Sequence, residues 1–221
     1  MLYIVATPIG NLGDISSRAI KTLEEVDIIL CEDTRVTAKL LSYFEIGTPT
    51  MSYHQHSKLQ KMEKIKEMLQ SGKNIALVSD AGTPGISDPG GQLIKFISEE
   101  LPNIKIEPIP GASAVISALS VSGFPTDKFL FLGFPPHKKG RTKFWKEVRD
   151  SNYTVAFYES KHRIIKSLKE LQTEVLNPNV LVARELTKMF ETLYRGRLND
   201  IIEDIEKNIP KGEYVVVVSK K

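Results

Sequence analysis

Short apolar runs alternate with amphipathic stretches along the whole of this 221-residue chain. Most of the apolar runs lack the polar residue at every second position that marks a half-exposed strand, so they predict strands buried on both faces. The clearest helical stretch is 57–72, where apolar residues from Leu59 to Leu69 recur on one face. Ser57 can cap its start and Gly72 can end it. The alternation predicts an α/β fold with a mostly parallel sheet covered on both faces by helices.

The predicted elements follow one another at short intervals. Strands are predicted at residues 2–6, 27–32, 74–79, 104–110, 129–134, 153–160, 179–187 and 212–221. Helices are predicted at residues 14–26, 34–44, 57–72, 91–100, 141–150 and 162–174, and a short strand running into a helix at 191–208. Because the pattern restarts within 112–126, we predict two α/β lobes, 1–115 and 116–221, with a cleft between them for a small ligand.

Composition narrows the class of protein without deciding its function. Hydrophobic residues make up 41% of the chain and charged residues 26%, which is typical of a soluble globular protein. No apolar run approaches the roughly 18 residues that predict a membrane span, and the N-terminus has no leader pattern. Cys31 is the single cysteine and predicts a buried thiol in a reducing compartment. We therefore expect a cytoplasmic protein that binds no membrane. Its net charge of +3 permits an anionic partner without requiring one.

Three glycine-containing loops follow predicted strands, at 6–14, 79–90 and 108–114. Ligands of open α/β sheets bind beyond the carboxyl ends of the strands, where these loops are expected. None of them has the spacing of a dinucleotide-binding or P-loop motif, which argues against ATP or GTP hydrolysis. Each loop alone is explained by a tight turn. Three at one edge of a sheet predict a ligand cleft, because glycine lets the backbone approach a ligand and proline stiffens the loop.

Five stretches, taken together, carry a family resemblance: YIVATPIGNLGDIS, CEDTR, SDAGTPGISDPG, PIPGASA and FLGFPP. In this order and spacing they resemble the ribosomal RNA small subunit methyltransferase I family of the tetrapyrrole-methylase superfamily, over essentially the whole chain. The resemblance implies two α/β lobes with an interlobe cleft for S-adenosylmethionine, in a protein that is usually a homodimer. The implied activity is methylation of the ribose 2′-hydroxyl of a cytidine in the decoding region of small-subunit (16S) ribosomal RNA.

The resemblance also implies a cofactor site. The loop 79–90 is similar to the cofactor loop of the superfamily, and Asp80 would meet the positive end of the cofactor. The residues expected to line the pocket are Pro8, Asp80, Ala81, Gly82, Pro84, Ala112, Ser113, Tyr158 and Glu159. Two departures stand out. Relatives commonly carry a further small C-terminal domain, which we expect to be absent after VVVVSKK, and often have His-Glu-His-Asn where this chain has HQHS at 54–57.

Methyl transfer to a ribose hydroxyl needs positioning and benefits from a nearby base. The stretches CEDTR, YES and ARELTK place acids and bases at predicted strand ends. We expect Asp33 or Glu185 to accept or orient the hydroxyl proton. Arg35, Arg184 and Lys188 are expected to hold phosphate. The alternative is structural, because Asp33 can cap the following helix with Arg35 paired to it, and Arg184 with Glu185 can form an exposed ion pair.

The segment 137–149 predicts contact with RNA. Lys138, Lys139 and Arg141 lead a basic run in which Phe144 and Trp145 are interleaved, so phosphate contacts and base stacking are both expected. An amphipathic helix with Phe144 and Val148 turned to the core explains the same spacing, and both can hold at once. The expected partner is small-subunit ribosomal RNA, alone or in the assembled subunit.

Other functions remain open from the sequence. His54 and His56 invite a metal site, but Cys31 is the only soft ligand and no third histidine lies nearby in sequence, so we expect none. A tetrapyrrole or protein substrate is the alternative within the superfamily, and the basic loop at 137–143 and CEDTR argue against it. A ribosome assembly factor without catalytic activity is the alternative from another class.

Overall fold

The computed structural model describes residues 1–54, 59–88, 90–207 and 211–219. The chain divides into two compact units, Met1–Ser113 and Ala114–Lys221, each with its own sheet. Ser57, the predicted cap, and His56 lie outside the described residues. No helix of the described residues is long and apolar enough to cross a membrane.

The first unit is built on a fully parallel five-stranded sheet. Its strands are β1 (Leu2–Val5), β2 (Ile28–Cys31), β3 (Thr50–Ser52), β4 (Ile75–Leu77) and β5 (Ile106–Ile109). Its helices are α1 (Ser17–Glu25), α2 (Thr34–Tyr43), α3 (Leu59–Gln70) and α4 (Gly90–Glu100). The strand order is β3-β2-β4-β1-β5, which confirms the predicted parallel sheet.

Both faces of this sheet are buried, which explains why its strands lack an alternating pattern. In β2, Ile29 and Cys31 pack with residues of α1 and α2 on one face. Leu30 points to the other face and packs with residues of α3 and α4. Cys31 is a free, buried thiol. Gly72, in the left-handed region at φ 87°, follows α3 and confirms the predicted stop signal.

The second unit has a mixed five-stranded sheet. Its strands are β6 (Phe129–Phe131), β7 (Thr154–Ser160), β8 (Asn179–Arg184), β9 (Thr192–Arg197) and β10 (Glu213–Val218). Its helices are α5 (Ala114–Ser122), α6 (Arg141–Asp150), α7 (Ile164–Glu174) and α8 (Leu198–Lys207). The strand order is β6-β7-β10-β8-β9.

In this unit the prediction of a mostly parallel sheet is wrong. Only β6 and β7 pair in parallel, whereas β10 runs antiparallel to both β7 and β8, and β9 runs antiparallel to β8. The crossover from β7 through α7 to β8 skips one position, and the last strand fills it in the opposite direction. Strand composition does not encode this insertion, because β10 is buried on both faces like a parallel strand.

Candidate functional site

Two of the three glycine loops lock together directly beyond the parallel sheet of the first unit. They follow β1 and β4, which are neighbours, and the third loop follows β5 on the other side of β1. The Thr7 N–H donates to the Gly82 carbonyl at 2.9 Å, and the Gly82 N–H donates to the Thr7 carbonyl at 3.1 Å. The Thr83 hydroxyl donates to the Ala112 carbonyl at 3.2 Å, which ties in the third loop. The predicted clustering of the three loops is therefore confirmed.

Glycine is required at two points of this assembly. Gly82 has φ +81°, which favours a residue without Cβ. Gly111 packs so closely on the first loop that a Cβ placed there would lie 2.9 Å from the Ala6 Cβ. The Ser79 hydroxyl lies 3.2 Å from the Ala81 carbonyl and 3.1 Å from the Gly82 carbonyl and can donate to either, so side chains as well as backbone hold the turn.

The residues expected to line the cofactor pocket fall into four groups. Pro8, Gly82 and Pro84 are buried within the loops, whereas Asp80 and Ala81 are exposed, and Ala112 and Ser113 are half-buried. Tyr158 and Glu159 belong to β7 of the second unit. The structure thus brings together Pro8, Asp80, Ala81, Gly82, Pro84, Ala112 and Ser113 at one edge of the first unit.

A small open pocket lies beside the second loop. Asp88 closes the turn, because its Oδ1 accepts from the Gly85 and Gly90 N–H groups at 2.7 Å each. Glu32, at the end of β2, shares this pocket. Partial desolvation of its carboxylate raises the pKa of Glu32, and the carboxylates of Asp80 and Asp88 raise it further. This edge of the sheet therefore carries a negative potential. Its lining residues are Glu32, Tyr53, Leu77, Val78, Ser79, Pro84, Asp88 and Gly90.

Asp33 has the structural role that the sequence offered as the alternative to catalysis, which is to cap α2 and pair with Arg35. It caps α2 by accepting from the Arg35 N–H at 2.8 Å, and it pairs with the Arg35 guanidinium at 2.6 Å. The side-chain hydrogen bond from Arg35 lowers the pKa of Asp33 to about 2. The Asp33 N–H donates to the Asp80 Oδ1 at 3.0 Å, which links α2 to the second loop. The carboxylate of Asp33 is therefore engaged and weakly basic.

Glu159 is fully buried in the second unit, although it was expected to contact the cofactor. Its carboxylate accepts from the Ser167 hydroxyl at 2.6 Å and from the Ser160 N–H at 2.7 Å, and it pairs with Arg163 at 2.9 Å. These contacts come from β7, from α7 and from Arg163 directly before α7. Tyr158, on the opposite face of β7, packs edge-on against Phe131.

Arg141 also turns inward, and this corrects the expectation that it contacts RNA. Its residue exposure is 8%, and its guanidinium donates to the Glu170 carboxylate, the Ser167 hydroxyl and the Pro136 carbonyl. It also lies over the ring of Trp145. The guanidinium thus holds the basic loop before α6 in place. Lys138 and Lys139 of that loop are exposed.

The interleaved aromatic residues of α6 are core residues. Phe144 and Trp145 are 7% and 4% exposed, and with Val148 they pack in the core of the second unit. The expectation that they stack on bases is therefore wrong. Trp145 also donates from its indole nitrogen to Glu170 at 2.8 Å.

The ARELTK stretch builds a loop between β8 and β9. Arg184 donates to the carbonyls of Lys211 and Phe190 at 2.8 and 2.9 Å. Lys188 bridges the carboxylates of Glu185 and Glu213 at 3.0 and 2.9 Å. The charge of Lys188 is therefore paired with carboxylates of its own unit. Arg184 donates to carbonyls and keeps its charge, so its expected contact with phosphate stays a prediction.

Glu185 is the centre of these contacts. Partial burial of its carboxylate acts to raise its pKa, but the hydrogen bonds from the Glu213 N–H and from Lys188 outweigh it, so the pKa of Glu185 lies below its usual value. A carboxylate with a lowered pKa and two donors is a weak base.

Two features escaped the sequence prediction. Glu32 is one of the two acids in CEDTR, and its pocket and its raised pKa distinguish it from Asp33. Met189 and Phe190 are 90% and 65% exposed at the loop after β8. In the sequence, the only sign of this exposed pair is that two large apolar residues stand next to each other where a predicted strand gives way to a loop. Across residues 1–54, 59–88, 90–207 and 211–219, no three His, Cys, Asp or Glu side chains are placed to hold a metal ion.

Known proteins match this chain over its whole length. Residues 1–202 match the sequence profile of the family described as Tetrapyrrole (Corrin/Porphyrin) Methylases. A Synechocystis protein named Ribosomal RNA small subunit methyltransferase I is 48% identical over 221 residues, covering 99% of this chain and 78% of that protein. A Thermotoga maritima protein of the same name is 43% identical over 220 residues, covering 100% and 98%. The solved uroporphyrin-III C-methyl transferase from Thermus thermophilus, complexed with S-adenyl homocysteine, has a TM-score of 0.66 at 17% identity, covering 97% of this chain and 96% of that one.

Proposed function

The chain belongs to the tetrapyrrole (corrin/porphyrin) methylase family, among its ribosomal RNA small subunit methyltransferase I members, and on this premise we propose that it methylates small-subunit ribosomal RNA with S-adenosylmethionine as donor. The proposed acceptor is the ribose 2′-hydroxyl of a cytidine in the decoding region. The observation that carries the proposal is the interlocked set of glycine loops at the carboxyl edge of the parallel sheet, beside a negatively charged pocket.

The residues of this edge fit the proposed cofactor. Gly82 and Gly111 keep the loop backbones close together without side chains in the way. The carboxylates of Glu32, Asp80 and Asp88 create a field that favours a cation, and the sulfonium and ammonium groups of the donor are cationic. We propose that Pro8, Asp80–Pro84 and Ala112–Ser113 hold it. When bound, S-adenosylmethionine supplies an activated methyl group.

The proposed work of the chain is to position the acceptor and to receive its proton. Holding the hydroxyl in line with the methyl group supplies much of the rate without metal or covalent help. Of the acids at strand ends, Asp33 and Glu185 are tied by hydrogen bonds and have lowered pKa values. Glu32 has a raised pKa, which suits a general base. We therefore propose Glu32 as the base, with Asp33 fixing the start of α2 and Arg35 offering its exposed guanidinium to phosphate.

The basic loop before α6 is the proposed first RNA contact. Lys138 and Lys139 are exposed, while Arg141 holds the loop from below through Pro136. Lysines of this kind give salt-dependent, sequence-independent affinity for phosphates. We therefore propose that the two lysines contact RNA and that Arg141 positions their loop.

The proposal is tested by incubating the protein with methyl-labelled S-adenosylmethionine and small ribosomal subunits from cells that lack this methylation, with naked RNA alongside. We expect label in RNA. Label on subunits alone would mean that assembled geometry is recognised. Cofactor binding without label in either RNA would favour a tetrapyrrole or protein substrate, and absence of both would favour an assembly factor without catalysis.

A further inference from the structure

The loop between β8 and β9, residues 185–191, is more constrained than a simple hairpin connection requires. We refer to it as the tip loop. Glu185 and Thr187 both adopt the left-handed region, at φ 50° and 66°, although neither is glycine. Such residues are rare and persist only where their surroundings hold them. The tip loop is therefore a built feature of the second unit.

The contacts that hold the tip loop come from both of its ends. The Thr187 N–H donates to the Glu191 carboxylate at 2.6 Å, and the Glu213 N–H donates to Glu185 at 2.9 Å. A Cβ at Gly212 would lie 2.6 Å from the Glu185 Cγ, so the strand that follows is shaped to receive this side chain. Together with Arg184 and Lys188, described above, these groups form one network around the loop.

The tip loop presents two large apolar side chains to solvent. Met189 is 90% exposed and Phe190 is 65% exposed. Neither belongs to the hydrophobic core clusters of the second unit. A scattered exposed apolar residue needs no explanation, but two adjacent ones on a strained and hydrogen-bonded loop indicate a contact surface.

The strand that leaves the tip loop adds positive charge. β9 is the outermost strand of its sheet and alternates half-buried and exposed residues, with Leu193, Arg195 and Arg197 exposed. Arg195 donates to the Val121 carbonyl, and Arg197 donates to the Asn177 carbonyl at 3.1 Å. Among the described residues, neither arginine forms an ion pair with a carboxylate. A guanidinium has five N–H donors, so each arginine can still bind phosphate.

We propose that the tip residues Met189 and Phe190, together with Arg195 and Arg197, bind an unpaired stretch of ribosomal RNA. A base stacks on the Phe190 ring, Met189 widens the apolar contact, and the arginines take phosphates of the same strand. RNA fits better than an apolar protein surface because two cations without carboxylate partners follow the aromatic residue along one exposed edge. An unpaired strand fits better than a duplex, whose stacked bases leave no face for the ring. This inference rests on the proposed function. It adds a second RNA contact beside the one proposed for the basic loop before α6.

The test uses the full chain and a fluorescent single-stranded RNA copied from the acceptor region. We expect Phe190→Ala to weaken binding about tenfold and Phe190→Trp to keep it, because stacking needs only an aromatic face. The double change of Arg195 and Arg197 to Ala should reduce the slope of log affinity against log salt by about 1.4, since each phosphate contact on a single strand contributes about 0.7. Tyr153→Ala and Lys128→Ala, an exposed aromatic and an exposed cation elsewhere in the second unit, are the matched controls and should leave binding unchanged.

The outcomes separate this inference from the function on which it rests. Suppose that the wild-type protein methylates RNA but that Phe190→Ala and the double arginine variant bind RNA as tightly as wild type. This result would overturn the inference and leave the proposed function standing. Wild-type protein that binds the RNA with the expected variant effects but transfers no methyl group would leave the surface standing and refute the function. Unchanged RNA binding with a shift in sedimentation of Phe190→Ala would assign the surface to a second copy of the chain and overturn the inference. Cofactor affinity of every variant, measured by calorimetry, controls for folding.

Discussion

The two units differ in how well the residue types at their strand ends predict the local structure. In the first unit, glycines and prolines mark three loops, and those loops lie together beyond a parallel sheet. In the second unit, charged residues mark three stretches, and their side chains mostly turn inward to hold loops of the same unit. Glycine and proline report backbone conformation, which is local. A charge reports only that a partner exists, and the partner can be a neighbour as easily as a ligand.

The sharpest test of this difference is Arg141→Met. If Arg141 is an internal anchor, the change removes the guanidinium that donates to Glu170, Ser167 and the Pro136 carbonyl, while Trp145 still donates to Glu170. It should lower the free energy of unfolding by about 3 kcal/mol. Urea unfolding measures it. Arg149→Met is the matched control, because its ion pairs are exposed and a much smaller loss is expected. Unchanged stability with weakened RNA binding would return Arg141 to the RNA surface.

A second test separates the two acids at the end of β2. Glu32→Gln should lower kcat about 100-fold, because it removes the proposed base, whereas Asp33→Asn should leave kcat near wild type since asparagine also caps helices. The raised pKa of Glu32 adds a pH signature. The rise of kcat/KM with pH should have its midpoint above 4.5, and Glu32→Gln should lack that limb. Equal losses in both variants would argue that α2 positions the substrate and that neither acid is the base.

The glycine loops offer a matched pair of substitutions. Gly111→Ala places a Cβ 2.9 Å from the Ala6 Cβ, whereas a Cβ at Gly47 meets nothing within 4 Å. Gly111→Ala should force the first and third loops apart, weaken cofactor binding about tenfold and destabilise the chain by about 2 kcal/mol. Gly47→Ala should do neither. If both variants bound the cofactor as wild type does, the close approach of the loops would have no part in binding.

The smallest expected effect is the acid titration of the α2 cap. Hydrogen bonds from Arg35 hold the pKa of Asp33 at about 2, below the ordinary 3.8. A depressed folded-state pKa means that the cap contributes fully above the ordinary value and that its contribution is lost as the pH falls towards about 2. Carboxyl carbon NMR should show Asp33 titrating well below Glu32, and Arg35→Ala should move Asp33 back towards 3.8. A titration of Asp33 near 3.8 in the unaltered protein would contradict the pairing.

Most of the fold could be predicted from the sequence, and of the candidate site the clustering of the three glycine loops could be predicted. Periodicity located nearly every element, because buried parallel strands and amphipathic helices have distinct patterns. The predicted strand 179–187 ends later than β8 does. Glu185 is not extended, because its side chain accepts a hydrogen bond from the N–H of Glu213, 28 positions away. The periodicity predicted β10 as a strand but not its antiparallel direction, because a buried central strand has the same residue pattern in either direction. The inward turn of Arg141 and Glu159 depended on tertiary partners in α7 that no local pattern reveals.

The central claim is that the glycine-loop edge of the first unit serves methyl transfer to the ribose of small-subunit ribosomal RNA. Mass spectrometry of nucleosides and fragments from RNA treated with wild-type protein, Gly111→Ala and Gly47→Ala tests it most directly. The account predicts 2′-O-methylcytidine at one decoding-region position, formed by wild type and Gly47→Ala and strongly reduced in Gly111→Ala. A methyl group on a base, or on ribosomal protein, would contradict it.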